Sequence, residues 1–255
     1  MKIIISTYLL ITVIISNSGI VFGQDTIYLN NPSFEDKPRR GLQFSPPIIG
    51  WTDCGQINFY GQSPPDIHPT PDSAWQVNMA AEDGLTYIGL VTRYDGTYES
   101  VSQHLSSPLK AGKCYKLSGY FTLSENYMSP TPRSRSSTVY TKGKKEKEVS
   151  PSYWLTHDDE SMTITQKPLE LENFVHPVEL LLWGGYADCK RNQLYVHSGP
   201  VKDHTWIPFT LEFSPIGDHD YITLGAFFEF GYSEPYNGHL LLDGLSPIIE
   251  IECLK

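Results

Sequence analysis

The sequence predicts an all-β protein, a two-sheet antiparallel β-sandwich of jelly-roll type, and three observations carry that expectation. Apolar and polar residues alternate with period two. Tyr115, Leu117, Phe121 and Leu123 alternate with Lys116, Ser118 and Thr122, and Phe209, Leu211 and Phe213 with Thr210 and Glu212; Ile222, Leu224, Ala226, Phe228 and Phe230 form a third apolar face. That is the signature of strands with one face buried. No segment sustains a 3.6-residue apolar period, so packed helices are not expected. Gly, Pro, Asn and Asp separate the runs at irregular, often long intervals, which suits a sandwich better than a barrel of tight hairpins.

Taken in order, the chain opens with an export leader over residues 1–23. Lys2 supplies a positive start, residues 3–15 are apolar apart from Ser6, Thr7, Tyr8 and Thr12, and Val21-Phe22-Gly23 suits cleavage before Gln24. The apolar stretch stops at Ser16-Asn17-Ser18, short of the roughly 20 residues a membrane span needs, so the protein is not expected to span a membrane. The first cysteine is Cys54, so a lipoprotein is not expected either. Strands are predicted over residues 26–29, 86–91, 98–105, 114–123, 177–183, 206–213, 221–230, 239–245 and 248–253 of one domain, 24–255. At about 130–171 the rhythm breaks into Pro, Ser and the charged run Lys142-Gly143-Lys144-Lys145-Glu146-Lys147-Glu148, which predicts a long surface loop.

The 255 residues carry 19 Lys and Arg against 29 Asp and Glu, a net charge of −10, which argues against nucleic acid as a partner. Export makes disulfides the natural state of Cys54, Cys114, Cys189 and Cys253, which lie far apart without a CxxC pair. Four cysteines permit three pairings. Cys114 opens a strand expected to run antiparallel to the one ending at Cys253, which favours Cys114–Cys253 and leaves Cys54–Cys189.

Catalytic signatures are absent: the chain has no GxSxG, HExxH, P-loop or GxGxxG. The tight ligand clusters Asp218-His219-Asp220 and His157-Asp158-Asp159 fall where solvated turns are expected. Two acidic residues from opposite ends are better placed. Asn30-Asn31-Pro32-Ser33-Phe34-Glu35 follows the first strand, and Leu240-Leu241-Leu242-Asp243-Gly244 ends a late one, so Glu35 and Asp243 could share a structural Ca²⁺.

These residues resemble the N-x-x-F-E first strand and the aliphatic-Asp-Asp/Asn-Val last strand of galactose-binding-like jelly rolls among carbohydrate-binding modules. Gly50-Trp51-Thr52-Asp53-Cys54-Gly55, Ser63-Pro64-Pro65-Asp66-Ile67, Gly89-Leu90-Val91-Thr92-Arg93 and Pro235-Tyr236-Asn237-Gly238-His239 are similar to segments of exported, largely uncharacterised Bacteroidetes proteins. The chain departs from the pattern in its longer 134–171 segment and in Gly244, which replaces a second Asp or Asn. The resemblance implies a sandwich that binds glycan or cell-surface polysaccharide, with an envelope protein partner as a further expectation. Trp or Tyr rings would take sugar C–H faces while Asp and Arg take hydroxyls. Trp51, Asp66, Trp75, Arg93 and Tyr94, in turn-rich segments expected to be exposed, form the candidate ligand-binding set, with no catalytic residues; Trp183 and Trp206 are expected in the core. A structural or adhesive envelope protein without a sugar site, and a glycan-active hydrolase, stand as alternative readings.

Overall fold

The computed structural model describes residues 25–42, 45–59, 62–130, 138–142, 145–149, 163–166 and 171–253. The expected leader lies outside the described residues. The strands are β1 (Thr26–Ile27), β2 (Thr52–Asp53), β3 (Asp66–His68), β4 (Tyr87–Thr92), β5 (Ser100–Leu109), β6 (Cys114–Leu123), β7 (Met128–Pro130), β8 (Thr138–Lys142), β9 (Lys145–Val149), β10 (Thr163–Gln166), β11 (Leu171–Asn173), β12 (Val178–Gly185), β13 (Gln193–Val201), β14 (Ile207–Phe213), β15 (His219–Phe228), β16 (Gly238–Asp243) and β17 (Ile248–Ile251). One helical turn, α1 (Gly55–Asn58), follows β2.

Two antiparallel sheets face each other. The larger runs β1-β17-β6-β16-β4-β3 with β14 on the other edge of β6, and the smaller runs β13-β12-β15-β5-β2. Strand β6 pairs with β16 through Phe121–Leu242 and with β17 through Lys116–Ile249, so two consecutive strands share one of its edges. Inward-facing Ile88, Leu90, Leu117, Leu240 and Leu242 of the larger sheet meet Val101, Leu180, Leu182, Ile222 and Leu224 of the smaller in one apolar core. The period-two alternation of residues 115–123 and 207–213 is realised in the β6–β14 register, where Leu117 lies opposite Leu211 and Tyr115 opposite Phe213. Phe230, expected on the third face, lies beyond β15 and is exposed.

Two differences from expectation have physical reasons. Strand β13 was not anticipated because Ser198, Gly199 and Pro200 break its pattern; it is an edge strand, half exposed, whose pairing with β12 has two register irregularities. In the stretch expected as a long surface loop, β7 and β11 pair side by side at the exit and return. Strands β8, β9 and β10 form a separate antiparallel sheet in the order β10-β8-β9. The connections between those three strands lie outside the described residues.

Both expected disulfides form. Cys114–Cys253 joins the start of β6 to the residue pair after β17, and Cys54–Cys189 ties the start of α1 to the turn after β12, across 135 residues. Closing so long a loop restricts the unfolded chain strongly. Replacing Cys54 and Cys189 together by Ala should lower unfolding stability by about 4 kcal/mol. Urea midpoints of the oxidised wild type and the double variant check this.

Candidate functional site

The outer face of the larger sheet is covered. Along β4 and β16, Tyr87, Val91 and Leu241 point away from the sandwich core and pack under Trp75, Val77, Met79, Ala81, Tyr127, Phe174 and Trp206. The covering segment is held by Tyr87 Oη donating to the Met79 carbonyl at 2.8 Å and Trp206 Nε1 donating to that of Ala80 at 2.8 Å. Where this cover ends, a cleft of about 280 Å³ opens among Gln62, Ser63, Asp66, Trp75, Arg93, Tyr94, Glu99, Tyr127 and Asn237.

Each wall is fixed locally. Asp66 opens β3 and is 6% exposed; its Oδ1 accepts from Gly41 N at 2.7 Å and its Oδ2 from Trp75 Nε1 at 2.7 Å. Burial raises its carboxyl pKa against the pull of those two donors and of Arg40 and Arg93. Trp75 is delivered by a turn in which Ser73, Trp75 and Gln76 all have positive φ, of 48°, 58° and 62°. Non-glycine residues adopt that conformation only at a cost of order 1 kcal/mol each. The Ala74 N–H bond to Thr70 Oγ1 at 2.6 Å and the Trp75–Asp66 bond offset it. Arg40 lies over the Trp75 ring at 5.3 Å and the Tyr127 ring meets it edge-on at 5.9 Å, so this indole is a wall with a limited free face.

Arg93 and Tyr94 follow β4 in a tight turn closed by Arg93 N to Thr97 O at 2.9 Å and Gly96 N to Arg93 O at 3.0 Å. Tyr94 is 37% exposed, and its backbone N–H is held by Asn237 Oδ1 at 3.0 Å. Arg93 Nη2 pairs with Glu99 Oε1 and donates to Ser63 Oγ at 3.0 Å, while its Nη1 is buried without a protein partner. Glu99 is 2% exposed and also accepts from Val91 N at 3.1 Å. Burial pushes its carboxyl up to about 8 although Arg93 opposes the shift.

The fold therefore gathers Asp66, Trp75, Arg93 and Tyr94 of the expected ligand-binding set. Trp51 departs from it. Expected to be exposed, it is 4% exposed, stacks near Phe34 at a ring separation of 5.1 Å, and donates from Nε1 to the Asn31 carbonyl at 2.9 Å. The turn-rich sequence around it misled because the turn folds inward over the first strand. Trp183 is buried as expected, whereas Trp206 lies in the outer cover. Glu99, Tyr127 and Asn237 carried no sequence signal of their own; only strand pairing brings them to Arg93. His219, expected in a solvated turn, instead begins β15, is buried, and lies 2.5 Å from Tyr195 Oη. His157, Asp158 and Asp159 lie outside the described residues.

Glu35 and Asp243 meet the same turn. Glu35 Oε1 accepts the N–H groups of Leu85 at 2.7 Å and Thr86 at 3.0 Å. Asp243 Oδ2 accepts those of Glu82 and Asp83, both at 2.9 Å, and its Oδ1 that of Gly244 at 2.7 Å. At Gly84, φ is +68° and a Cβ would lie 2.2 Å from Glu35 Oε1, so glycine is required there. Five backbone donors thus hold the two carboxylates, four of them from this one turn. Burial raises the Asp243 carboxyl to about 6 against these donors.

Two outcomes follow. Asp243→Asn keeps the shape but turns an amide N–H₂ toward backbone donors, and should lower stability by about 1–3 kcal/mol with calcium chelated; denaturant midpoints of both proteins in chelator check this. Glu99 holds its proton up to about 8 when folded, against 4.5 for an ordinary glutamate. Its folded state therefore binds the extra proton between those values, and wild-type stability should fall as pH rises through that window. Glu99→Gln removes that slope, so the two stability curves should diverge between pH 5 and 8, the variant losing less; parallel curves would refute the assignment.

No protein-family model matches the chain, and no curated protein matches it. No helix among the described residues is long and apolar enough to cross a membrane. Among solved structures, the chain is similar to one described as "CBM4 structure and function", with TM-score 0.38 and 15% identity over 86% of this chain and 99% of that one. It is also similar to the CBM22-1 xylan-binding domain of Paenibacillus barcinonensis Xyn10C, with TM-score 0.37 and 11% identity over 86% of this chain and 99% of that one. The CBM22-1–CBM22-2 tandem domain of the same protein gives TM-score 0.38 and 13% identity over 91% of this chain and 48% of that one.

Proposed function

We propose that the chain is an exported, non-catalytic glycan-binding module whose ligand enters the cleft beside Tyr94. The observation that carries this reading is the meeting, in one cleft, of an exposed tyrosine ring with the guanidinium of Arg93. An aromatic ring offers a face to the C–H side of a pyranose, and a guanidinium offers N–H donors to its hydroxyls. Gln62, Ser63 and Asn237 add neutral polar groups around the opening. With Glu99 keeping its proton at neutral pH, Asp66 and Asp95 still outnumber Arg93 in the cleft, which favours an uncharged sugar over a uronate. The two disulfides suit an oxidising compartment outside the cytoplasm.

The carboxylates also favour binding over hydrolysis. Each oxygen of Asp66 and of Glu99 is already engaged by a protein donor, so both acids serve as internal acceptors that shape the cleft. A glycan array followed by calorimetry on the best hit tests the reading. Binding of a neutral oligosaccharide is expected, weakened about tenfold or more by Tyr94→Ala, the loss of one stacking face. Absence of any glycan hit, or affinity unchanged in Tyr94→Ala, would overturn it.

A further inference from the structure

We propose that Asp66, His68 and His239 form a binding site for one divalent transition-metal ion, zinc first among them. Their ligand atoms, one carboxylate oxygen and one nitrogen from each ring, all lie within 4.8 Å of one another. Both rings are enclosed by protein: His68 and His239 are both 0% exposed. Both nitrogens of both rings lack a hydrogen-bond partner, although a buried polar group left unpaired costs a few kcal/mol. A single ion between the rings would take one nitrogen from each.

Strand register explains why they converge. Asp66 and His68 point to one side of β3 because Ile67 between them points into the core, and β3 pairs with β4 so that Asp66 lies opposite Gly89. On the other edge of β4, Leu241 lies opposite Gly89, and His239 projects to the same outer face two residues away. Gly89 keeps the space between the rings open: a Cβ there would lie 2.3 Å from His239 Nε2 and 3.0 Å from His68 Nε2. Both Nε2 atoms therefore border the volume above a bare glycine, flanked by the Asp66 carboxylate 4.0 Å from His68 Nε2.

The donor set suits the ion. Two imidazoles and one carboxylate match zinc and its first-row neighbours, whereas calcium prefers oxygen alone. Zinc held at ~2.0–2.1 Å from each ligand would draw the three atoms to within about 3.5 Å of one another. That asks each side chain to close by less than an ångström, a movement that imidazole rotation provides. With no protein partner on either ring, one lone pair of each stands free for a metal. Asp66 also lines the cleft, so the ion and the cleft would share one side chain. The glycan reading rests on Tyr94 and Arg93, and either proposal can fail without the other.

The test uses the oxidised chain stripped with chelator, incubated with zinc sulfate and desalted. Elemental analysis should find one zinc retained per chain, and excess zinc should raise the thermal midpoint by about 5–10 °C. His68→Asn and His239→Asn should each abolish retention and the shift. Should either variant fail to fold, the imidazole nitrogen resonances of the wild type decide the matter: zinc should move both buried rings together and leave exposed His104 in place. No retained zinc, equal retention in folded variants, or unmoved buried-ring resonances would overturn the proposal, the last pointing to a trapped water between the rings.

Discussion

Three neighbouring strands, β3, β4 and β16, are buried on both faces, and the rest of the site depends on that constraint. Inward they present Ile67, Ile88, Leu90, Leu240 and Leu242 to the sandwich core; outward they lie under residues 75–81, Tyr127 and Phe174. A polar side chain on the outward face is therefore cut off from water and must find its partner within the protein. Asp243 finds three backbone N–H groups and Asp66 two donors. The paired histidines find none.

The cleft exists because the cover is incomplete. It stops at Trp75 and Tyr127, and the turn after β4 carries Arg93 and Tyr94 past its edge. Asp66 links the two regimes. It anchors the strained Trp75 turn on one side, lines the cleft on another, and stands beside His68 beneath. Removing its charge would loosen all three at once, so its substitution reads as a structural change before it reads as a loss of ligand contact. Glu99 plays the matching part for Arg93, holding the guanidinium by a side-chain pair while its own backbone joins β4 and β15.

Much of the architecture was legible in the sequence, because period-two alternation reports directly on which strand face meets a core. Residues 114–123 were delimited to the residue, and strand direction alone pointed to the Cys114–Cys253 bridge and, by elimination, to Cys54–Cys189. Asp66 opens β3, which no alternation marked, whereas Arg93 and Tyr94 were legible as neighbours in a turn after a predicted strand. Trp51 was not, because a turn can fold inward as readily as outward, and its local sequence is the same in both cases.

Periodicity, cysteine spacing and net charge are properties of the chain as written, and they point to an acidic β-sandwich with two long-range disulfides before any contact is known. Which side chains meet is set by the packing of strands. The run Leu240-Leu241-Leu242 breaks alternation and in hindsight marks a strand covered on both sides, yet nothing local says what covers it. His68 and His239 stand 171 positions apart and become neighbours solely because β3 and β16 flank β4 in one register. Contacts of that range arise from strand order across a sheet, and strand order is a property of the packed whole.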